Sequence, residues 1–190
     1  LLFRSGDGTG IEDTVLATST VVANTFAEIG LAQVIGPYVG HLNVDTDFLF
    51  SDLVEALPAD RIVLELYEKK IDEATLSRLA ELRRNGYRIA LDDFVGNFDG
   101  FDVLLPAVDM VKVDFKRIDA LLVPGIVDML RKYDVKLIAQ KVETPEQFEL
   151  AKSLGMDLFQ GFHFATPQLM SAKCPKPAKV ALLRLLSLAM

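Results

Sequence analysis

Cysteine occurs once, at Cys174, and histidine twice, at His41 and His163. A single thiol excludes an internal disulfide framework, and this inventory is too small for a cysteine-rich zinc site or a polyhistidine metal centre. No uninterrupted apolar run approaches the roughly 18 residues that span a bilayer, and no succession of charged, apolar and small residues marks a signal peptide. Basic residues are in deficit, 20 Lys and Arg against 27 Asp and Glu, for a net charge of −7. Counterion release, the main driving force for binding duplex nucleic acid, therefore has no source here. The expected setting is a reducing cytoplasm, with neither nucleic acid nor membrane as partner.

Apolar residues make up 51% of the 190 positions and charged residues 25%, which is enough for one folded core and too apolar for a disordered tail. The chain opens at Leu1 without methionine, which suggests a fragment. Short β-branched runs alternate with amphipathic stretches, the pattern of repeated βα units around a largely parallel sheet. Strands are expected at Tyr38 to Val44, Ile62 to Leu66, Arg88 to Leu91, Met110 to Val113, Lys136 to Ala139 and Asp157 to Gly161. Helices are expected at Ile11 to Ile29, Asp47 to Ala56, Asp72 to Asn85, Ile118 to Tyr133 and Pro145 to Leu154. Asn85-Gly86 is a helix stop, and Thr144-Pro145-Glu146 an N-cap followed by proline in the first turn. A Lys- and Pro-containing stretch from Ser171 to Lys179 breaks the rhythm before the leucine-rich run at Val180 to Leu186, which reads as a linker and a helix.

Polar residues recur at the carboxyl end of each expected strand: Asn43 and Asp45, Glu65 and Glu68, Asp92 and Asp93, Lys112 and Asp114, Gln140 and Glu143, then Gln160. In a parallel barrel or open α/β sheet all these ends lie on one face, so the residues converge. Asn, Asp and Glu oxygens are hard donors suited to Mg²⁺, Mn²⁺ or Ca²⁺, a set that serves phosphate chemistry. Each carboxylate taken singly is more often a helix cap or a solvated strand end than a ligand. Adjacent Asp92 and Asp93 repel one another unless something cationic binds. Lys112 and Asp114 share a strand face and read as a simple ion pair, His41 as a packing residue and Cys174 as an incidental linker thiol.

The order and spacing of these residues resemble the EAL domain, the bacterial fold that binds and hydrolyses cyclic di-GMP. Leu1-Leu2-Phe3-Arg4 resembles the end of the Glu-Ala-Leu-x-Arg signature, whose glutamate would fall one position before Leu1. Leu42-Asn43-Val44 is similar to the Asn-Val-Ser strand end, Glu65-Leu66-Tyr67-Glu68 to Glu-x-Thr-Glu, and Leu91-Asp92-Asp93-Phe94 to the Asp-Asp-Phe-Gly loop. Lys112-Val113-Asp114 is similar to Lys-x-Asp, and Gln160-Gly161-Phe162 to Gln-Gly-Tyr/Phe. The resemblance implies a modified TIM (β/α)8-type barrel, N-terminally truncated here. It implies Mg²⁺ or Mn²⁺ held by Asn43, Glu65, Asp92 and Asp93. Arg4, Glu68, Lys112, Asp114, Glu143 and Gln160 would lie near the dinucleotide or the attacking water.

Three departures stand out. Ala139-Gln140-Lys141-Val142-Glu143 replaces Ala-Glu-Gly-Val-Glu, so the general-base position holds Gln140, an amide that cannot take a proton at neutral pH, and no intact catalytic base is left. Phe94-Val95-Gly96-Asn97 replaces Phe-Gly-Thr-Gly, putting a stiff β-branched residue in the metal loop, and Asn43-Val44-Asp45-Thr46 lacks the Ser-Pro. Together with the tail they resemble the subgroup in which a degenerate EAL domain precedes an HDOD domain. Residues 1–168 are then the barrel and 169–190 the linker and first helix of the HDOD-like partner. The implied role is a catalytically impaired cyclic di-GMP sensor or protein-interaction module in signal transduction, with other signalling proteins or a second copy of the chain as partners. The alternative is an active phosphodiesterase that yields pGpG.

Overall fold

The structure, a computed structural model, describes residues 35–67, 72–96 and 100–165. The expectations for the helix at Ile11 to Ile29, for Arg4, for Glu68 and for the linker and tail from 169 lie outside these residues.

Among the described residues six strands form one sheet in the order β1 to β6, and every neighbouring pair is parallel. They are β1 (Gly40–Val44), β2 (Ile62–Leu66), β3 (Arg88–Phe94), β4 (Met110–Asp114), β5 (Lys136–Gln140) and β6 (Leu158–Phe159). Helices α1 (Thr46–Leu49), α2 (Glu73–Arg84), α3 (Phe101–Leu104, running into a 3-10 turn at Leu105–Ala107), α4 (Val123–Leu130) and α5 (Pro145–Ser153) alternate with them. Strands β2 and β4 are buried along their whole length, as expected of parallel strands covered on both faces.

Side-chain alternation divides the interior in two. Leu64 and Leu66 of β2, Ile89 and Leu91 of β3, Val111 and Val113 of β4 and Leu137 and Ala139 of β5 point to the helices and form the main core with Leu79, Leu82, Val127 and Leu130. The opposite face carries a small second cluster of Val63, Ala90, Met110 and Ile138. The next residue on that face of each of these strands is Glu65, Asp92, Lys112 or Gln140, all buried. A thin apolar floor thus lies under a polar layer.

The helix expected at Asp47 to Ala56 is only the single turn of α1. Asp45 caps it, accepting from the Phe48 amide at 2.8 Å, and the Ser51 hydroxyl then donates back to the Phe48 carbonyl at 2.8 Å, a local bond that competes with helix propagation. Phe48 and Leu49 are buried from α1 and Val54 and Leu57 from the turns that follow it, so the apolar spacing did not require one continuous helix. The helix expected from Ile118 begins at Val123, because Pro124 is tolerated only in a first turn and Asp119 forms a turn with Leu121 and Leu122 ahead of it. Strand β1 starts at Gly40, since Tyr38 closes a turn onto Ile35. Strand β6 ends at Phe159, where the backbone folds onto Val142: a Cβ on Gly161 would lie 2.0 Å from the Val142 carbonyl oxygen, so only glycine fits. Helix α2 matches its expectation, with Asp72 and Asn85 as caps and Gly86 at φ +92° closing it. Helix α5 carries the Thr144 cap as a full capping box with Gln147. Helix α3, four residues between Gly100 and Pro106, was too short to show a period.

Candidate functional site

The polar layer sits at the carboxyl ends of β1 to β5, and the ladder fixes who faces whom. Asn43 stands opposite Glu65, and Asp114 opposite Gln140. Asp92 and Asp93 are consecutive, so an ideal strand would send them to opposite faces. Here the β3 to β4 register shifts between Leu91 and Phe94 and Asp93 adopts φ +49°, a local bulge that lets both carboxylates reach the same basic layer.

Lys112 is the hub. Its ammonium has no solvent exposure and lies 2.7 Å from Glu65 Oε1 and 2.9 Å from Asp92 Oδ1. Glu65 Oε1 also accepts from Nδ1 of His41 at 2.7 Å. A second knot lies beside the first: Lys141 Nζ reaches Asp93 Oδ1 at 2.7 Å and Asp114 Oδ2 at 2.6 Å. Asp114 Oδ1 accepts from the amides of Lys116 and Arg117 at 2.9 and 3.1 Å. The pairing expected between Lys112 and Asp114 therefore does not form; both lie on one face of β4, yet each finds a closer partner on another strand or loop. His41 is not a packing residue but part of the polar layer, and Asp45 is the α1 cap. Glu143 sits at the exposed rim, paired with Lys116 at 2.9 Å, while the backbone of Gln160 joins β5, its amide donating to the Ala139 carbonyl at 2.8 Å.

These contacts push the two Lys112 partners in opposite directions. Burial pushes the Glu65 carboxyl up, but the His41 hydrogen bond together with the charge and hydrogen bond of Lys112 outweigh it and leave the pKa below the ordinary value. Asp92 is pushed up, first by burial and then by the neighbouring charges of Glu65 and Asp93, against the pull of Lys112. Lys141 stays above the ordinary lysine value because its bonds to Asp114 and Asp93 outweigh the effect of burial.

Sequence reasoning passed over two members of the layer. His41 lies two residues before Asn43 on the same strand face, and that alternation was the available signal. Lys141 was visible only as a departure from glycine, and nothing in one sequence says where its side chain reaches.

Two oxygens in this layer could serve a hard cation, one on β2 and one on β5. Glu65 Oε2 and Gln140 Oε1 are buried without a hydrogen-bond partner, an arrangement that is costly unless something binds them. Among the described residues, no three or more His, Cys, Asp or Glu side chains are gathered as a metal-holding group, because lysines bridge the carboxylates. No helix among these residues is long and apolar enough to cross a membrane.

Comparison with known proteins points to one family. The EAL domain matches residues 41–167. The uncharacterized protein YuxH of Bacillus subtilis is 29% identical over 90% of this chain and 44% of its own length. The cyclic di-GMP phosphodiesterase CdgJ of Vibrio cholerae is 28% identical over 97% of this chain and 44% of its own length. The chain thus spans less than half the length of these curated relatives. The PaMucR phosphodiesterase, solved as a c-di-GMP complex, superposes with a TM-score of 0.67 over 83% of this chain and 80% of its own, at 24% identity. Other solved proteins of this fold were captured with c-di-GMP and calcium or manganese. The fold is therefore the curled parallel α/β sheet of EAL barrel-like structures. With the match extending over more than half of its residues, this chain belongs to the EAL domain family.

Proposed function

We propose that this chain is a catalytically impaired EAL domain that senses cyclic di-GMP or acts as a protein-interaction module in bacterial signalling. One observation carries the reading: Gln140, at the position where the resemblance puts a general base, is buried at the mouth opposite Asp114 with its carbonyl oxygen unpartnered. An amide there can orient a water but cannot accept its proton, and loss of a general base typically lowers turnover by about 10²- to 10⁴-fold.

The ligand set stays that of the sequence reading. Asn43, Glu65, Asp92 and Asp93 are the candidate holders of Mg²⁺ or Mn²⁺, with Lys112, Asp114, Glu143 and Gln160, together with Arg4 and Glu68 outside the described residues, on the nucleotide side. A bound divalent ion would supply positive charge against the phosphates and polarise a phosphoryl oxygen. Lys112 keeps Glu65 and Asp92 in place, and His41 orients Glu65. A following HDOD-like domain from residue 169, a second copy of the chain and other signalling proteins are the proposed partners, and the cytoplasm the proposed compartment.

The retained carboxylates favour one second reading, a working phosphodiesterase that yields pGpG. Calorimetric titration of cyclic di-GMP into the intact protein, with Mg²⁺ or Ca²⁺ and then with EDTA, tests the sensor reading. Micromolar binding that EDTA abolishes is the expected result; no heat under any metal would leave protein interaction alone. Chromatography for pGpG separates the two readings. We expect no product from the wild type and turnover from Gln140→Glu, whereas wild-type cleavage that vanishes in Asp92→Ala would establish the active enzyme.

A further inference from the structure

The Lys141 ammonium stands where a cation on Asp93 would stand. It lies 2.7 Å from Asp93 Oδ1 and 2.6 Å from Asp114 Oδ2, and divalent ions take carboxylate oxygens at comparable or shorter range, about 2.0 to 2.6 Å, so an ion bridging these two oxygens would fall where the ammonium stands. The backbone at both ends of this contact is unusual. Lys141 has φ +58° and Asp93 φ +49°, the left-handed region that non-glycine residues rarely adopt and that tends to persist where a function over-determines it. A glycine would take this conformation freely, but without an ammonium; here the strained conformation carries a lysine that spans from the loop after β5 to the ends of β3 and β4. Asp114, with no side-chain exposure, has its other oxygen held by two backbone amides, so both of its oxygens are ligated from within. At the other end Lys112 likewise bridges Glu65 Oε1 and Asp92 Oδ1, but Glu65 keeps its second oxygen, Oε2, buried and unpartnered.

We propose that Lys141 is a tethered cation that takes the place of a divalent ion on Asp93 and Asp114, leaving a single metal position at the Asn43, Glu65 and Asp92 end. The proposal rests on the reading of this mouth as an EAL-type site and withdraws Asp93 from its metal ligands. It assigns Lys141 a positioning role: it fixes the two aspartates and presents a permanent positive charge that needs no loading from solution.

The test uses Mn²⁺ alone, without nucleotide, on the intact protein. Titration followed by electron paramagnetic resonance should find one tightly held ion in the wild type and in Lys141→Arg, and two in Lys141→Gly. Adding Asp93→Asn to Lys141→Gly should remove the gained ion. Two ions in the wild type, or the same number with and without the lysine, zero included, overturns the proposal. Acetylation read by mass spectrometry provides an arm that needs no variant to fold: Lys141 should label slowly, at a rate that saturating Mn²⁺ leaves unchanged, and a several-fold rise with Mn²⁺ would show that the ion displaces it. Absence of cyclic di-GMP binding alongside the expected Mn²⁺ counts would sink the sensor reading and leave the tethered cation standing.

Discussion

A fully buried lysine is tolerated only when its charge is matched at close range, and Lys112 is matched twice, by Glu65 and by Asp92. Removing one member of such a group leaves the others as uncompensated buried charges. Lys112→Ala should therefore lower the unfolding free energy by about 3 to 5 kcal/mol, read by urea denaturation, far more than a surface substitution does. Glu65, Asp92 and Lys112 were legible in the sequence because each ends a run of apolar residues, where a charge must have a reason. Their pairing was not, since distance along the chain favours Lys112 with Asp114 while distance across the sheet favours neighbouring strands.

At the scale of elements, two loops repeat one device. Asp109, just before β4, donates its amide to the Ile89 carbonyl at 2.9 Å and accepts from the Ile89 amide through Oδ2 at 2.8 Å; Asp157, just before β6, does the same with Leu137 of β5 at 2.9 and 2.8 Å. Each aspartate clips the bottom of a strand to its neighbour, opposite the polar mouth. Helix starts are set as locally: Thr144 and Gln147 reciprocate at the head of α5. Thr144→Ala should cost about 1 kcal/mol of stability, visible as a lower thermal midpoint with no change of fold by circular dichroism. Such caps were readable in advance, as were all six strand positions. Helix lengths were less so, because Ser51 and Pro124 decide them through hydrogen bonding and ring geometry while the apolar spacing runs on regardless.

At the scale of the molecule, β2, β3 and β4 lie in the middle of the described sheet, between the main core and the small apolar floor, whereas β6 is a two-residue strand at the end of the described order with Leu158 exposed. Native-state hydrogen exchange should show the slowest amides at Leu64, Ile89 and Val111 and fast exchange in β6. Uniform protection across the six strands would contradict this gradient. The parallel architecture followed from the βα rhythm alone, while the curl that gathers the strand ends became visible only with the ladder in place.

The strictly sequential strand order has a kinetic side. Among the described residues every ladder joins strands adjacent along the chain, as Gly40 with Ile62 and Met110 with Lys136, so no closure among them requires a much longer loop than any other. Assembly can start at any hairpin-sized βα pair and spread to either side, much as in a repeat protein. The mouth draws on five consecutive strands, so its charge network cannot precede their docking: Glu65 and Asp92 are buried against Lys112 only once β2, β3 and β4 have come together.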